Sequence, residues 1–350
     1  MNQSVYSIID KLAQNHSLTE TEFLLLITDR TPDAAEYLSK LAQAAKQRIY
    51  GNTIFIRGLI EISSYCKNDC LYCGIRRSNL SCRRYRLSAD TILECCAEGY
   101  ALGFRTFVLQ GGEDITFSDD MLCPLISEIK RRYPDCAVTL SLGERSFDSC
   151  LRLYNAGADR YLLRHETADK DHYHLLHPKE MSFSNRMQCL RNLKAIGYQT
   201  GCGFMVGSPF QTFEMLAKDL KFIETFAPEM CGIGPFLPHH ETPFANHQGG
   251  SAELTCYLLS IIRLIHPSIL LPATTTLATK SEHGRLNGIL AGANVIMPNL
   301  SPQSVRADYA LYDGKQYTGS ESAQEIAALK TQIQSVGCEI VTDRGDIHFI

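Results

Sequence analysis

No apolar run in this 350-residue chain approaches the roughly 20 residues of a membrane span. Nor does Met1–Tyr6 begin with the basic stretch and apolar segment of a secretory leader. An unexported, cytoplasmic protein with no membrane partner is expected. Dense Lys/Arg stripes are missing and the formal net charge is −4, so no nucleic-acid partner is expected either. The nearest approach to a basic stripe is Arg76 and Arg77 with Arg83, Arg84 and Arg86. It is short and lies beside a cysteine loop, where it suits an anionic small molecule, the charge of a metal cluster or a protein partner. Residues 201–207 do not match GxGxxG and lack an acidic residue at the dinucleotide distance. No linker or low-complexity segment interrupts the chain, and no second CxxC pair accompanies the first.

Cysteine itself is abundant. Fourteen in an unexported chain argue for a reducing compartment, where thiols pack as small hydrophobes or bind metal. Eleven are scattered, with Cys95 and Cys96 adjacent, and core packing is their default role. The other three, Cys66, Cys70 and Cys73, form CxxxCxxC with Tyr72 just before the last. A closed zinc site wants four protein ligands, typically as two separate pairs. Three thiolates on one loop instead suit three corners of a cubane iron–sulfur cluster, which leaves one iron open to a small molecule.

Length and composition, 45% hydrophobic and 21% charged, fit one large α/β barrel. Residues 1–50 read as helices: 17–20 has capping-box form, and Thr31-Pro32 offers an N-cap and first-turn proline for a helix to about Tyr50. Strands are then expected at 54–62, 106–110, 137–141, 160–164, 200–206, 230–236, 269–272 and 294–297. Helices are expected between them at 89–102, 119–132, 146–155, 183–196, 212–226, 252–265 and 282–290. Gly103, Gly157 and Gly292 each end a helix and enter a strand, as a left-handed turn requires. Eight such units predict a complete (βα)8 TIM-type barrel over 51–312, with an N-terminal helical extension over 1–50. A tail over 313–350, with a helix at 323–336 and a short strand, is expected on the outside of the barrel.

Barrel chemistry collects at the C-terminal ends of strands. Here those ends carry the cysteine loop, Gln110-Gly-Gly-Glu113, Ser141 to Glu144, Arg164-His-Glu166, Gly203 to Gly207, Gly232-Ile-Gly234, Thr274 to Thr276 and Pro298-Asn299. Gly111 and Gly112 let backbone amides approach a ligand, and the Glu113 carboxylate can accept from an ammonium group; a plain turn is the simpler reading of that element alone. Arg164, Glu166 and Arg186 could clamp an amino acid, though each taken singly reads as a surface salt-bridge residue. His172, His174 and His177, or His239 and His240, invite a metal reading; the first set is expected on an exposed helix–loop and is not taken as a ligand set.

The run from Tyr65 to Arg77, with Cys66, Cys70, Cys73 and Tyr72 in place, resembles the radical S-adenosylmethionine (SAM) superfamily. Further phrases, 84–87, 108–114, 138–144, 157–167, 232–239, 272–275 and 292–299, are similar to the HydE family of FeFe-hydrogenase maturases. The resemblance runs from about Tyr50 to Tyr312. It implies one 4Fe–4S cluster held by Cys66, Cys70 and Cys73, and reductive cleavage of SAM to a 5′-deoxyadenosyl radical. It implies that Tyr72 lies near the adenine and that Glu113, Ser141, Glu166 and Arg186 contact SAM. Thr139, Arg164, Met230, Thr274, Thr275 and Tyr312 would line the substrate cavity. The implied substrate is an organometallic iron–cysteine precursor carrying CO and cyanide. The implied partners are the other hydrogenase maturases and an electron donor such as ferredoxin or flavodoxin.

Two departures stand out. Some members of that family carry extra cysteines after the phrase at Tyr309–Tyr312 and bind a second cluster there. This chain has 314–319 without cysteine, and its only cysteine beyond Cys256 is Cys338, so no second cluster is expected. Gly111 stands where a serine is common, which removes a hydroxyl near the radical site. The rival enzyme reading is methylornithine synthase, against which stand the phrases at 164–167 and 272–275; biotin synthase fits less well. A non-catalytic iron–sulfur redox sensor is the reading from a different class.

Overall fold

The structure, a computed structural model, describes residues 4–316 and 321–348. Three helices come first: α1 (Val5–Asn15), α2 (Glu20–Thr28) and α3 (Pro32–Tyr50). Thr31 caps α3 by accepting from the Ala34 N–H, with Pro32 in the first turn, as expected. The capping box of α2 is Thr19 with Glu22, two residues beyond the expected one. Ser17 donates to Glu224 instead. In this register Phe23, Leu26 and Ile27 face inward.

Strands and helices then alternate. The order is β1 (Thr53–Ile56), β2 (Gly58–Ser63), α4 (Ala89–Ala101), β3 (Thr106–Gly111), α5 (Asp119–Arg132), β4 (Ala137–Ser141), α6 (Phe147–Asn155) and β5 (Arg160–Leu162). Next come α7 (Lys170–Leu176), α8 (Phe183–Ile196), β6 (Gln199–Cys202), β7 (Met205–Val206), α9 (Phe213–Phe226), β8 (Met230–Cys231) and β9 (Gly234–Pro235). The chain continues through α10 (Ala252–Ile265), α11 (Thr275–Lys280), α12 (Gly284–Leu290), β10 (Val295–Ile296), α13 (Gln303–Arg306), α14 (Ile326–Gln334) and β11 (Glu339–Val341).

One parallel ladder runs β2-β3-β4-β5-β6-β8. Single parallel bridges carry the order onward from Met230 to Leu270 and from Pro272 to Val295. Strand β10 pairs with β1, and Leu59 bridges Asn299, so the pairings lead round to the first strand. This is the TIM-barrel-like α/β fold expected from the eight units. The paired strands are parallel and their helices lie outside, so the strands are covered on both faces, β2 being buried throughout.

Several expected strands are broken. Residues 200–206 divide at Gly203, whose position leaves no room for a side chain: a Cβ there would sit 2.0 Å from the Gly232 carbonyl oxygen. Residues 230–236 divide opposite it, and 269–272 pairs only through single bridges. The expected helix at 282–290 is α12, while α7 and α11 lie outside the helices expected from the sequence. Helix α10 is buried nearly all round because α3 packs on its outer face; Tyr257 on α10 donates to the Leu26 carbonyl of α2.

Strand β11 pairs with β1, and the chain beyond it crosses the N-terminal ends of the barrel strands. Thr106, the first residue of β3, donates to the Arg344 carbonyl at 2.7 Å. Arg160, the first residue of β5, is fully buried and reaches the Arg344 carbonyl, Asp346 and Thr106. A buried guanidinium needs such partners, and Asp346 of the tail is the carboxylate that Arg160 hydrogen-bonds. The segment 317–319, cited above in the argument about a second cluster, lies outside the described residues. No helix among the described residues is long and apolar enough to cross a membrane.

Candidate active site

A cavity of about 290 Å³ opens at the C-terminal ends of the strands. Gln110, Gly111, Ser141, Leu162, Met205, Gly234 and Pro235, each at or just past a strand end, line it, as do Cys66, Cys70 and Cys73.

The cysteine loop is held from several sides. Lys67 N–H donates to the Glu113 carbonyl, Leu71 N–H to Leu176 and Gly74 N–H to Leu311, at 2.9–3.0 Å. Arg84 donates from below to the carbonyls of Ser64, Ile75, Arg76 and Asn79. Asp69 accepts from Arg76 and from Ser78. Gly74 follows the last cysteine because only glycine fits: a Cβ would lie 2.1 Å from the Ala310 carbonyl oxygen. Gly112 likewise lets the β3 loop touch the cysteine loop, since a Cβ would lie 2.2 Å from the Tyr65 carbonyl oxygen.

Burial raises the pKa of Cys66 and of Cys70, and with Cys66 nearby it pushes Cys73 up to about 12. The bare thiols thus hold their protons, and binding iron must release them. Tyr72 lines the cavity with its hydroxyl turned to His177 Nε2 at 3.1 Å. His177 Nδ1 faces the Tyr173 carbonyl at 2.9 Å and so carries the ring proton, which makes Nε2 the acceptor. Burial, with Arg186 nearby, pushes the His177 pKa down to about 3.

The polar groups of the cavity are partly spoken for. Glu113 accepts from Glu144 N–H at 2.9 Å and pairs with Lys67 at 3.2 Å. Arg186, on α8, donates to Glu144 and to the Arg164 carbonyl, both at 2.6 Å. Arg164 and Glu166 approach at 3.2 Å, yet Arg164 Nε and Nη2 and Glu166 Oε2 are buried without a hydrogen bond. Glu166 also has φ +69°, a strained value for a side-chain-bearing residue. Backbone bonds hold this stretch in place: Gly203 accepts from Glu166 N–H and donates to His165 Nδ1, while His165 Nε2 faces Asp219. Strain and unsatisfied polar atoms coincide at one wall of the cavity. A polar ligand would satisfy them.

Most of the residues expected at the site meet there: Cys66, Cys70, Tyr72, Cys73, Glu113, Ser141, Arg164, Glu166, Arg186 and Tyr312 all line the cavity. Thr139 and Met230 lie deeper, around a separate void of about 20 Å³, where Met230 Sδ accepts from Arg57 and the Thr139 hydroxyl has no partner. Thr274 stands one hydrogen bond back, 2.9 Å from the Thr276 hydroxyl, and it is Thr276 that reaches the cavity. Thr275 does not face it at all; its hydroxyl donates to Glu321. Gln110, Thr276 and Tyr309 were passed over although each sits in a phrase already singled out.

The histidines correct an expectation as well. His172 and His177 are buried rather than on an exposed helix–loop, because α7 packs inward. Only His239, His240 and Asp313 gather closely enough for one ion among the described residues. His239 Nδ1 already accepts from the Glu241 N–H, so Nε2 carries the proton, and His240 Nδ1 lies 2.6 Å from Asp313. That group is satisfied as a hydrogen-bonded cluster.

The sequence pattern of the radical SAM superfamily matches residues 60–223. Over 331 residues, 94% of this chain and 94% of the relative, the sequence is 40% identical to the FeFe hydrogenase maturase subunit HydE of Thermotoga maritima. The chain belongs to the radical SAM superfamily. It is also 27% identical to the 3-methylornithine synthase of Methanosarcina acetivorans, over 94% of this chain and 92% of that one. Among solved structures, that of the methylornithine synthase PylB superposes with a TM-score of 0.83 at 25% identity, covering 96% of this chain and 97% of that chain.

Membership makes the protein an enzyme and implies a 4Fe–4S cluster and SAM. The donor set fits such a cluster. A single zinc ion with Zn–S distances of about 2.3 Å would draw its thiolates close together. The three sulfurs line one cavity, but they are not among the groups converging within 4.8 Å. That spread suits three separate corners of a cubane.

Proposed function

We propose that this radical SAM enzyme acts in assembly of the di-iron subcluster of FeFe-hydrogenase, on an iron–cysteine precursor carrying CO and cyanide. The observation that carries the reading is 40% identity to HydE along 94% of both chains, against 27% to a methylornithine synthase. When bound, the 4Fe–4S cluster supplies one electron to SAM, whose cleavage gives methionine and a 5′-deoxyadenosyl radical.

The chain's own residues would do the rest. Cys66, Cys70 and Cys73 hold the cluster. Arg164 and Glu166 offer their unsatisfied polar atoms to the amino-acid end of SAM, together with Glu113, Ser141 and Arg186. Tyr72, aimed by His177, sits beside the adenine. Thr276 and Tyr312, on the cavity wall, bound the space for the substrate, with Thr274 behind Thr276. Gly111 keeps a hydroxyl away from the path between the two. The catalytic barrel spans 51–312, and the enzyme works in the cytoplasm with the other maturases and a ferredoxin or flavodoxin. One cluster suffices in this proposal, because Cys338, the only cysteine beyond Cys256, is buried against Lys46.

The likeness to PylB keeps methylornithine synthesis as the second reading. The test is anaerobic reconstitution, dithionite reduction and product analysis. Release of 5′-deoxyadenosine is expected, increased by the organometallic precursor and unaffected by lysine. No release, with an EPR signal unchanged on adding SAM, would sink the enzyme reading. Methylornithine formed from lysine would replace the maturase assignment.

A further inference from the structure

Behind the wall that carries Arg164 and Glu166 lies a buried acid, Asp219, on α9. It is fully enclosed, as is His165 beside it, and neither side chain lines the cavity. His165 Nδ1 accepts from the Gly203 N–H at 3.2 Å, so Nε2 carries the ring proton and donates to Asp219 Oδ1, also at 3.2 Å. The same Oδ1 accepts from the Ala168 N–H at 2.5 Å. One carboxylate oxygen thus holds the chain on both sides of Glu166, through the side chain of His165 and the backbone of Ala168. Lys218, the preceding residue of α9, pairs with Asp169 at 2.6 Å and carries the hold one residue further.

An acid in that position is costly. Burial raises the Asp219 pKa, and Oδ2 is buried with no hydrogen bond. Aromatic rings surround its partner: those of Phe222 and Phe204 lie 4.6 and 5.9 Å from the His165 ring. Leu216, Leu220 and Ile223 already bury the inner face of α9, and another leucine could complete it. What a leucine cannot do is accept two hydrogen bonds across one turn. Between the two held points Glu166 has φ +69°, and its Oε2 is buried without a hydrogen bond. A side-chain-bearing residue stays in the left-handed region only where its surroundings over-determine it.

We infer that Asp219 and His165 are positioning residues for the SAM site, fixing the turn at 165–168 so that Glu166 presents its carboxylate to the amino-acid end of SAM. The inference rests on the proposed contact between Glu166 and SAM, and deepens it by naming what holds that contact in place. Released from those bonds, Glu166 would relax toward the ordinary backbone regions and withdraw its carboxylate from the cavity wall.

The test is a mutant cycle on the anaerobically reconstituted enzyme. SAM affinity is read from the EPR signal of the reduced cluster on titrating SAM, cluster loading from absorbance, and the rate at saturating SAM from 5′-deoxyadenosine. Asp219→Leu is expected to weaken SAM binding about tenfold with the cluster loaded. Asp219→Asn, whose amide oxygen can accept from both His165 and Ala168, should stay within about threefold of the unaltered enzyme. His165→Phe keeps a ring beside Phe204 and Phe222 and loses both hydrogen bonds, so it should weaken binding as Asp219→Leu does; it serves in the cycle if Asp219→Leu fails to load the cluster. Glu166→Gln should weaken SAM binding by itself, and adding Asp219→Leu or His165→Phe to it should change affinity by less than about twofold. Unchanged affinity in Asp219→Leu and His165→Phe would overturn the inference. So would a loss repeated in full on top of Glu166→Gln, because the pair would then act on the fold at large. An equal loss in Asp219→Asn and Asp219→Leu would overturn it too, since the accepting oxygen would not be what matters. Unchanged affinity in Glu166→Gln would instead remove Glu166 from the SAM site, and both readings would fall together.

Discussion

Lys315 places its ammonium against the Glu61 carboxylate, 254 residues earlier in the chain, inside the barrel mouth. Glu61 is fully buried and also accepts from Asn299 at 2.9 Å; Lys315 donates to the Tyr309 carbonyl and lies over the Tyr309 ring. The pair therefore ties the wall that carries Tyr309 and Tyr312 to the first long strand. Removing one partner strands the other charge, so Lys315→Met should cost about 3–5 kcal/mol. The double variant Glu61→Gln/Lys315→Met should recover most of that. Thermal unfolding of both checks the order.

His177→Phe should leave cluster absorbance intact and raise KM for SAM. The Tyr72 hydroxyl loses its acceptor, a change of about 1 kcal/mol or roughly fivefold. A matching loss in His177→Gln, whose amide can still accept, would argue for packing instead.

Gly143 has φ +74°, and a Cβ there would fall 1.9 Å from Glu113 Cγ. Gly143→Ala should push the Glu113 carboxylate out of place and add about 1 kcal/mol of backbone strain. The expected result is a raised KM for SAM with the cluster still loaded, read by EPR on titrating SAM.

Acid should loosen the tail. Burial alone would raise the Asp346 pKa, but Arg160 and Arg344 hold it well below the usual carboxylate range. In the unfolded chain this carboxyl titrates near about 3.9. Its contribution is thus present above about pH 4 and lost as pH falls further, where the unfolded state takes up the proton first. Because Asp346 is partly exposed, solvent screening limits that contribution to about 1 kcal/mol. Proteolysis of the tail should accelerate below pH 4, and Asp346→Asn should show the faster rate already at pH 6.

Thr275 offers a contrast. Its hydroxyl is bound to Glu321, so Thr275→Ala should leave KM for the substrate within twofold. Thr276→Ala, which opens the cavity wall, should raise it more. Steady-state kinetics on the two variants decides between them.

Local patterns carried much of this protein. The spacing of Cys66, Cys70 and Cys73, the Thr31-Pro32 helix start and the alternation of apolar runs with amphipathic stretches depend on near neighbours in the chain, so they can be read from it. So could the strand ends, and with them Glu113, Ser141 and Glu166, because a parallel barrel sends every strand end to one mouth. Residues whose roles depend on distant partners stayed hidden. His177 read as a surface histidine until α7 turned it onto Tyr72, and Thr275 read as a cavity residue until Glu321 claimed its hydroxyl. The divided strands at Gly203 and Gly232 arise where two backbones touch, which neither sequence segment records alone. The tail looked like an outer appendage because nothing near Asp346 announces the buried Arg160 that draws it across the barrel's end. Spacing along the chain determined which groups can hold a cluster. Tertiary packing decided what surrounds it, since burial, strain and the pairing of charges are properties of neighbours in space.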